Sequence, residues 1–388
     1  MGQLQPEEKP KAMNPFKISV IIPCYNQAHY LPDALYSLQE QDYTDWEAIV
    51  VNDGSTDDTE NVARSFAEDD HRIQVISKSN GGLSSARNAG MLAATGSILQ
   101  FLDADDCILP DCYQHVVTAA QKHRDSCLIQ TGYRYCYGAE RTILHTSIPQ
   151  QENQLLPGIL EGNAGPVHSM FIRTQAAKAA GLFDESLKSA EDWDFWMRVA
   201  KSGHGDLHVI QMPLVDYRIV DESMSRNAFA MYEALKTVLL RAPSKDNRIC
   251  ADSPLNKAYS IDTASSLKRI LLMCLGVSVM QGKIEPSVQL MKQEQQQQQL
   301  QFQGSDFAMM CSYLSFRYRY DPAFTQFVLE QLRPRFHHFF SALGYSASFS
   351  NRLLAVVFQK HLQVNRHRKF GFMAPVLNRM ANLKYKYL

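Results

Sequence analysis

The sequence predicts an α/β fold, with a mostly parallel sheet and helices on both of its faces, followed by an α-helical C-terminal region. Three observations carry this reading. Short β-branched or apolar runs alternate with helical periodicities between Lys17 and Leu102. Asn, Asp and Gly residues punctuate the ends of those runs. From about Ala228 onward that punctuation stops and helical texture takes over. The expected organisation is a polar, disordered leader over residues 1–16, an α/β domain over 17–227 and a helical region over 228–388.

Residues 17–23 (K-I-S-V-I-I-P) read as the first strand. Leu31, Leu35 and Leu38 share one face of a helix over 31–41. Residues 47–51 form a second strand, ending at Asn52-Asp53-Gly54. Ser55 or Thr56 can cap the next helix, which turns Val62, Ala63 and Phe66 inward. Residues 72–77 are a third strand, Gly81-Gly82 opens a turn, and 84–94 is helical. Residues 98–102 are the fourth strand. After about residue 110 the pattern is mixed, with strands over 128–137, 165–173 and 209–218. A helix over 192–200 offers Trp193, Trp196 and Met197 for packing. The glutamine-rich run from Gln293 to Leu300 is a polar helix end or a loop insertion.

The chain has 388 residues, 45% hydrophobic and 20% charged, ordinary values for a globular protein. Its net charge of −1 supplies no global field for nucleic acid. Eight cysteines form no C-x-x-C pair and several sit in apolar runs, which suits a reduced, cytoplasmic setting. The first 17 residues show no apolar signal-peptide core, and Pro6 stands where a myristoylation signal needs Ser or Thr. The longest apolar run, 270–280, falls short of the roughly 20 residues that cross a bilayer. Residues 331–388 carry ten Lys or Arg and no acid, interleaved with phenylalanines. That mixture suits either peripheral docking at the anionic inner face of a membrane or a helical subdomain that buries its aromatic residues.

The chemistry concentrates at strand ends. In parallel α/β sheets ligands bind beyond the strands' C-terminal ends, so residues 23–26, 53–56 and 103–106 should meet in one cleft. In Phe101-Leu-Asp-Ala-Asp-Asp106 an apolar strand runs straight into three carboxylates. Alternate acids there can reach one hard cation, Mn²⁺ or Mg²⁺, which keeps positions open for substrate phosphates; the alternative is a solvated acidic turn. Tyr25, after Pro23, can stack on a base or shield the core. Asp53 can accept hydrogen bonds from a base or ribose, or serve the following helix start, a task that suits Asp57 better. Arg87 follows Gly81-Gly82 and can reach a nucleotide or lie on a helix surface. These glycines do not make a G-x-G-x-x-G fingerprint. Far downstream, Ser189-Ala-Glu-Asp-Trp-Asp194 places acids before a bulky amphipathic helix. Glu191 or Asp192 is the candidate general base, and Asp194 is expected to face solvent.

Taken in order, V-I-I-P-C-Y-N, V-N-D-G-S-T-D-D-T, G-G-L-S-S-A-R-N-A-G, F-L-D-A-D-D and E-D-W-D-F-W resemble the family 2 glycosyltransferases, which have the GT-A fold. The likeness runs from about Ile18 to Arg226. It implies inverting transfer of a sugar from a nucleotide-sugar, usually uridine-linked, to an acceptor hydroxyl on a saccharide, a lipid-linked saccharide or another molecule. By that likeness Pro23, Tyr25 and Asp53 lie at the nucleoside, Arg87 near the base or diphosphate and Asp103 near the ribose. Asp105 would hold the metal, and Asp192 would be the base, with Glu191 the next candidate. Many relatives end this domain with Y-R-x-H, whereas here Tyr217-Arg218-Ile219 is followed by Val220. A contact at the histidine position is therefore missing, and His168 either lines the donor site in its place or is an ordinary pocket-edge histidine. Two rivals remain. A sugar nucleotidyltransferase would carry a basic glycine-rich loop after strand one, where Pro23-Cys-Tyr-Asn26 stands. A nucleotide-sugar-binding scaffold without catalysis has no use for Asp105 and Asp192.

Overall fold

The computed structural model describes residues 16–138, 140–149, 155–220, 227–313 and 328–355. Four parallel strands form its first half in the order β3(Ile73–Lys78), β2(Trp46–Asp53), β1(Ile18–Cys24), β4(Ile98–Phe101). Helices α1(Leu31–Gln39), α2(Thr59–Asp69) and α3(Leu83–Ala93) make the crossovers. The strand period of two sends alternate residues to opposite faces. In β1, Ile18, Val20 and Ile22 pack with α1 and with α4(Cys112–Lys122), while Ile21 joins the core on the other face. Gly90 of α3 lies so close to Ile21 that a Cβ there would collide with it, which sets the approach of that helix to β1.

The second half of the sheet changes direction. The short strand β5(Cys107–Ile108) and the long β6(Ser126–Tyr137) come first, and β7(Thr142–Ser147) pairs antiparallel with the far end of β6. Strand β8(Met170–Arg173) runs antiparallel to both β4 and β6. Strand β9(Asp206–Ile219) is parallel to β6 and antiparallel to β5. The parallel pattern thus holds through β4, and the rest of the nine-stranded sheet is mixed. Strands β5 and β7 and helices α4 and α5(Thr174–Ala180) are not evident in the mixed stretch of sequence after residue 110.

Helix α6(Glu191–Ser202) is buried on almost every side, through Trp193, Phe195, Trp196, Met197 and Val199. Its first turn carries Glu191, Asp192 and Asp194, where acids complement the helix dipole, and Gly203 closes it in a left-handed conformation at φ 70°. The helices α7(Ala228–Arg241), α8(Thr263–Met280), α9(Ile284–Gln297), α10(Gly304–Tyr313) and α11(Arg333–Ala342) follow. One apolar core runs without a break from Leu99 and Phe101 through Trp193 and Trp196 to Leu239, Leu271 and Phe340. The expected break at residue 227 is therefore a change of texture across a shared core. The glutamine run is a polar helix end: α9 stops at Gln297, and Gln299 turns the chain at φ 52°. Helix α8 is long and apolar enough to cross a membrane, but more than half of it is buried inside the protein.

Candidate active site

Strand ends bring the motifs together as the topology requires. After β1, the Asn26 side chain accepts from Thr56 N–H (2.8 Å), and Asn26 N–H donates to Ser55 Oγ (3.0 Å). Ser55 and Thr56 therefore tie two loops together. The start of α2 is met by Asp57, which accepts from Thr59 N–H (3.0 Å) and Ala28 N–H (3.1 Å). Tyr25 stands 49% exposed at the cleft edge, and Pro23 is buried in the strand below it. Asp53 is buried at the end of β2 and accepts from Lys78 Nζ (2.7 Å), Gly81 N–H (3.0 Å) and Gly82 N–H (2.7 Å). Gly82 makes this turn at φ 90°, where a side chain would be strained. In this arrangement Asp53 shapes the glycine loop and leaves little acceptor capacity for a ligand.

Arg87 differs most from its expected place. It is 1% exposed, beneath the cleft, and its two terminal nitrogens join the distant acidic motifs. Nη1 donates to Glu191 (2.5 Å) and Nη2 to Asp103 (2.8 Å). Burial works against its charge, but Asp103 and Glu191 outweigh it and hold its pKa above the usual range. The geometry makes Arg87 a clamp between strand β4 and helix α6. Glu191 is spent on that clamp.

Asp192 keeps a half-buried position beside it. Its Oδ2 accepts from Asn163 Nδ2 (2.8 Å) and its Oδ1 from Trp193 N–H (2.7 Å). Burial, then the charge of Glu191, push its pKa up to about 6. A carboxyl poised there can take a proton near neutral pH.

On the other side of Arg87 lies an acidic pocket. Ligating atoms of Asp103, Asp106 and His168 all fall within 4.8 Å of one another. Asp106 is fully buried; its Oδ1 accepts from Arg218 N–H (2.8 Å) and its Oδ2 lies 2.6 Å from His168 Nδ1. His168 Nε2 is buried without a partner among the described residues. Burial opposes the charged imidazole, but Asp106 outweighs it and raises its pKa. Burial, then Asp106 and Asp103, push Asp105 up to about 8. Two carboxylates and an imidazole with ligand atoms this close are a donor set that fits a divalent cation. The compact group is Asp103, Asp106 and His168, with half-buried Asp105 between the two acids in sequence. Asp106 carried no separate role in the sequence reading. The β5 pairing of Cys107 with Asp216, which sets Asp106 against the end of β9, has no local signal in the sequence. The His168 ring lies near Tyr217, 5.0 Å between ring centres and tilted by 38°, so a histidine approaches the Y-R-x-V segment from another part of the chain.

Asp194 corrects an expectation. It is fully buried, accepting from Arg198 Nε (3.0 Å), Arg241 Nη1 (3.0 Å) and both terminal nitrogens of Arg248 (2.9 and 3.0 Å). It fastens α6 to the end of α7 and to the segment that follows it.

Comparison with known proteins gives the family. Residues 19–178 match the family described as Glycosyl transferase family 2. An uncharacterized glycosyltransferase of Rickettsia prowazekii is 31% identical over 265 residues, covering 65% of this chain and 80% of that one. The uncharacterized glycosyltransferase EpsJ of Bacillus subtilis is 32% identical over 187 residues, 46% of this chain and 54% of that one. Among solved structures, S. aureus TarS 1-349 is 19% identical with a TM-score of 0.49, covering 89% of this chain and 92% of that one. With its motifs joined over Arg87 on a GT-A sheet, the chain belongs to glycosyl transferase family 2.

Proposed function

We propose that this glycosyltransferase moves a sugar from a nucleotide-sugar, uridine-linked by family likeness, to an acceptor hydroxyl in one inverting displacement. The observation that carries the reading is the Arg87 clamp, which sets the Asp103–Asp106 strand end beside the half-buried Asp192. Asp192 accepts the acceptor's O–H proton while that oxygen bonds to the anomeric carbon, and the bond to the diphosphate oxygen breaks. Attack from the face opposite the leaving group inverts the anomeric centre, with no covalent sugar intermediate. Asp103, Asp106 and His168, with Asp105, would hold Mn²⁺ or Mg²⁺, which when bound supplies positive charge for the departing nucleoside diphosphate. Exposed Tyr25 offers a face for the base. Arg87 and Asp53 act by positioning, one fixing the two acidic motifs and the other the glycine loop. We place the enzyme in the cytoplasm, at the inner membrane face if the basic C-terminal segment docks there.

The test is release of nucleoside diphosphate from a panel of nucleotide-sugars with metal added. Asp192→Asn should slow transfer on the order of 10²–10⁴-fold while UDP binding persists. Normal transfer by that variant would remove Asp192 as base.

A further inference from the structure

A cavity of about 700 Å³ opens between two parts of the chain that the sequence reading kept separate. One wall is the 157–163 segment with Trp193, and the other is α7 and α8, through Leu235, Arg269, Ile270 and Met273. The walls are tied together. Arg269 donates to the Glu161 carbonyl, and Ser266 Oγ donates to Glu161 Oε2 (3.3 Å). The cavity therefore exists only where the C-terminal helices meet the GT-A domain. Its size is that of a small-molecule site.

We propose that this cleft is the acceptor site and that it takes a saccharide, so that the C-terminal helices select the acceptor. Three features point there, given the reading of Asp192 as base. Asn163 lines the cavity and donates to Asp192 Oδ2 at 2.8 Å, so the cavity and the base share a border. Leu235, Ile270 and Met273 supply an apolar wall, which suits the C–H face of a sugar ring. Glu161, Asn163 and Arg269 supply acceptors and donors for hydroxyls on the same cavity. Neither a wholly apolar tail nor a highly charged ligand matches a wall of this mixture. A saccharide seated here has one hydroxyl at the Asn163 border, in reach of the base, and its remaining rings along α8.

Para-nitrophenyl glycosides of glucose, galactose and N-acetylglucosamine are suitable probes. Binding would be followed by saturation-transfer NMR with and without UDP and Mn²⁺. At least one glycoside should bind the wild-type protein saturably. Met273→Trp or Leu235→Trp fills the cavity from α8 or α7 and should weaken that binding about tenfold or more. UDP affinity should stay within about twofold, since the filled wall lies on the acceptor side. Met273→Leu should bind like the wild type. If one filling variant fails to fold, the other, on the opposite helix, carries the comparison. Failure of all three glycosides to bind the wild type, or equal binding by a folded filled variant, would overturn the proposal. Glycoside binding that persists without any nucleoside diphosphate release would instead sink the catalytic reading.

Discussion

Burial and Glu191 raise the Asp192 pKa, and the Asn163 hydrogen bond opposes them. A base with its pKa raised to about 6 is protonated, and so inactive, below that pH. Transfer should fall about tenfold per unit as pH drops below about 6. The Asn163 amide favours the charged carboxylate, so Asn163→Ala should move the acid limb to higher pH; an unmoved limb would mean that another group governs it. The acidic pocket makes a second prediction at this scale. His168→Ala should cut the tightening of UDP by Mn²⁺ on the order of 10–100-fold in calorimetric titration. Asp105→Ala measured beside it would show whether that acid shares the ion, and an unchanged metal effect in His168→Ala would leave the histidine a merely structural partner of Asp106.

Helix α6 carries chemistry at one end and attachment along its length. Its first turn presents Asp192 to the cleft and Glu191 to Arg87, while Asp194 points into the guanidinium groups of Arg198, Arg241 and Arg248. Removing one partner from a buried charge network leaves the others uncompensated. Asp194→Ala should cost about 3 kcal/mol, read as a shift in denaturant midpoint. The Arg241 and Arg248 partners are about one-third exposed, so the cost belongs mainly to buried Arg198. A midpoint shift within experimental error would show that water replaces the lost acid. The helix itself is legible in the spacing of Trp193, Trp196 and Met197. The role of Asp194 is not, because two of its partners lie more than 40 residues downstream.

The larger of the two main apolar cores is shared between the sheet and the C-terminal helices. Tyr232, Leu267 and Leu271 belong to the same cluster as Trp193 and Trp196. A fragment ending at residue 227 would expose that surface, so it should be insoluble or melt well below the full chain. A soluble fragment with the full chain's melting temperature would mean that the α/β part closes its own core. The same packing bears on membrane docking. Phe336, Phe339 and Phe340 are buried against the helices, so they offer nothing to a lipid surface. Arg366, Arg368, Lys369, Phe370 and Phe372 lie outside the described residues.

Local chemistry determined the first half of this fold. Alternating β-branched strands and periodic helices specify a parallel α/β sheet because each element's pattern is written within its own ten residues. The same locality placed the 23–26, 53–56 and 103–106 loops at one edge, since parallel strands end together. Tertiary structure decided the rest. The antiparallel insertion of β8 between β4 and β6 brings His168 to Asp106, 62 positions away in the chain. The burial of Arg87 turns it from a surface cation into a clamp across 104 residues. The wall that α7 and α8 add to the cleft depends on packing between segments with no local signal for each other. Pairing between distant residues is set by which surfaces the core buries together, and no window of sequence contains both partners.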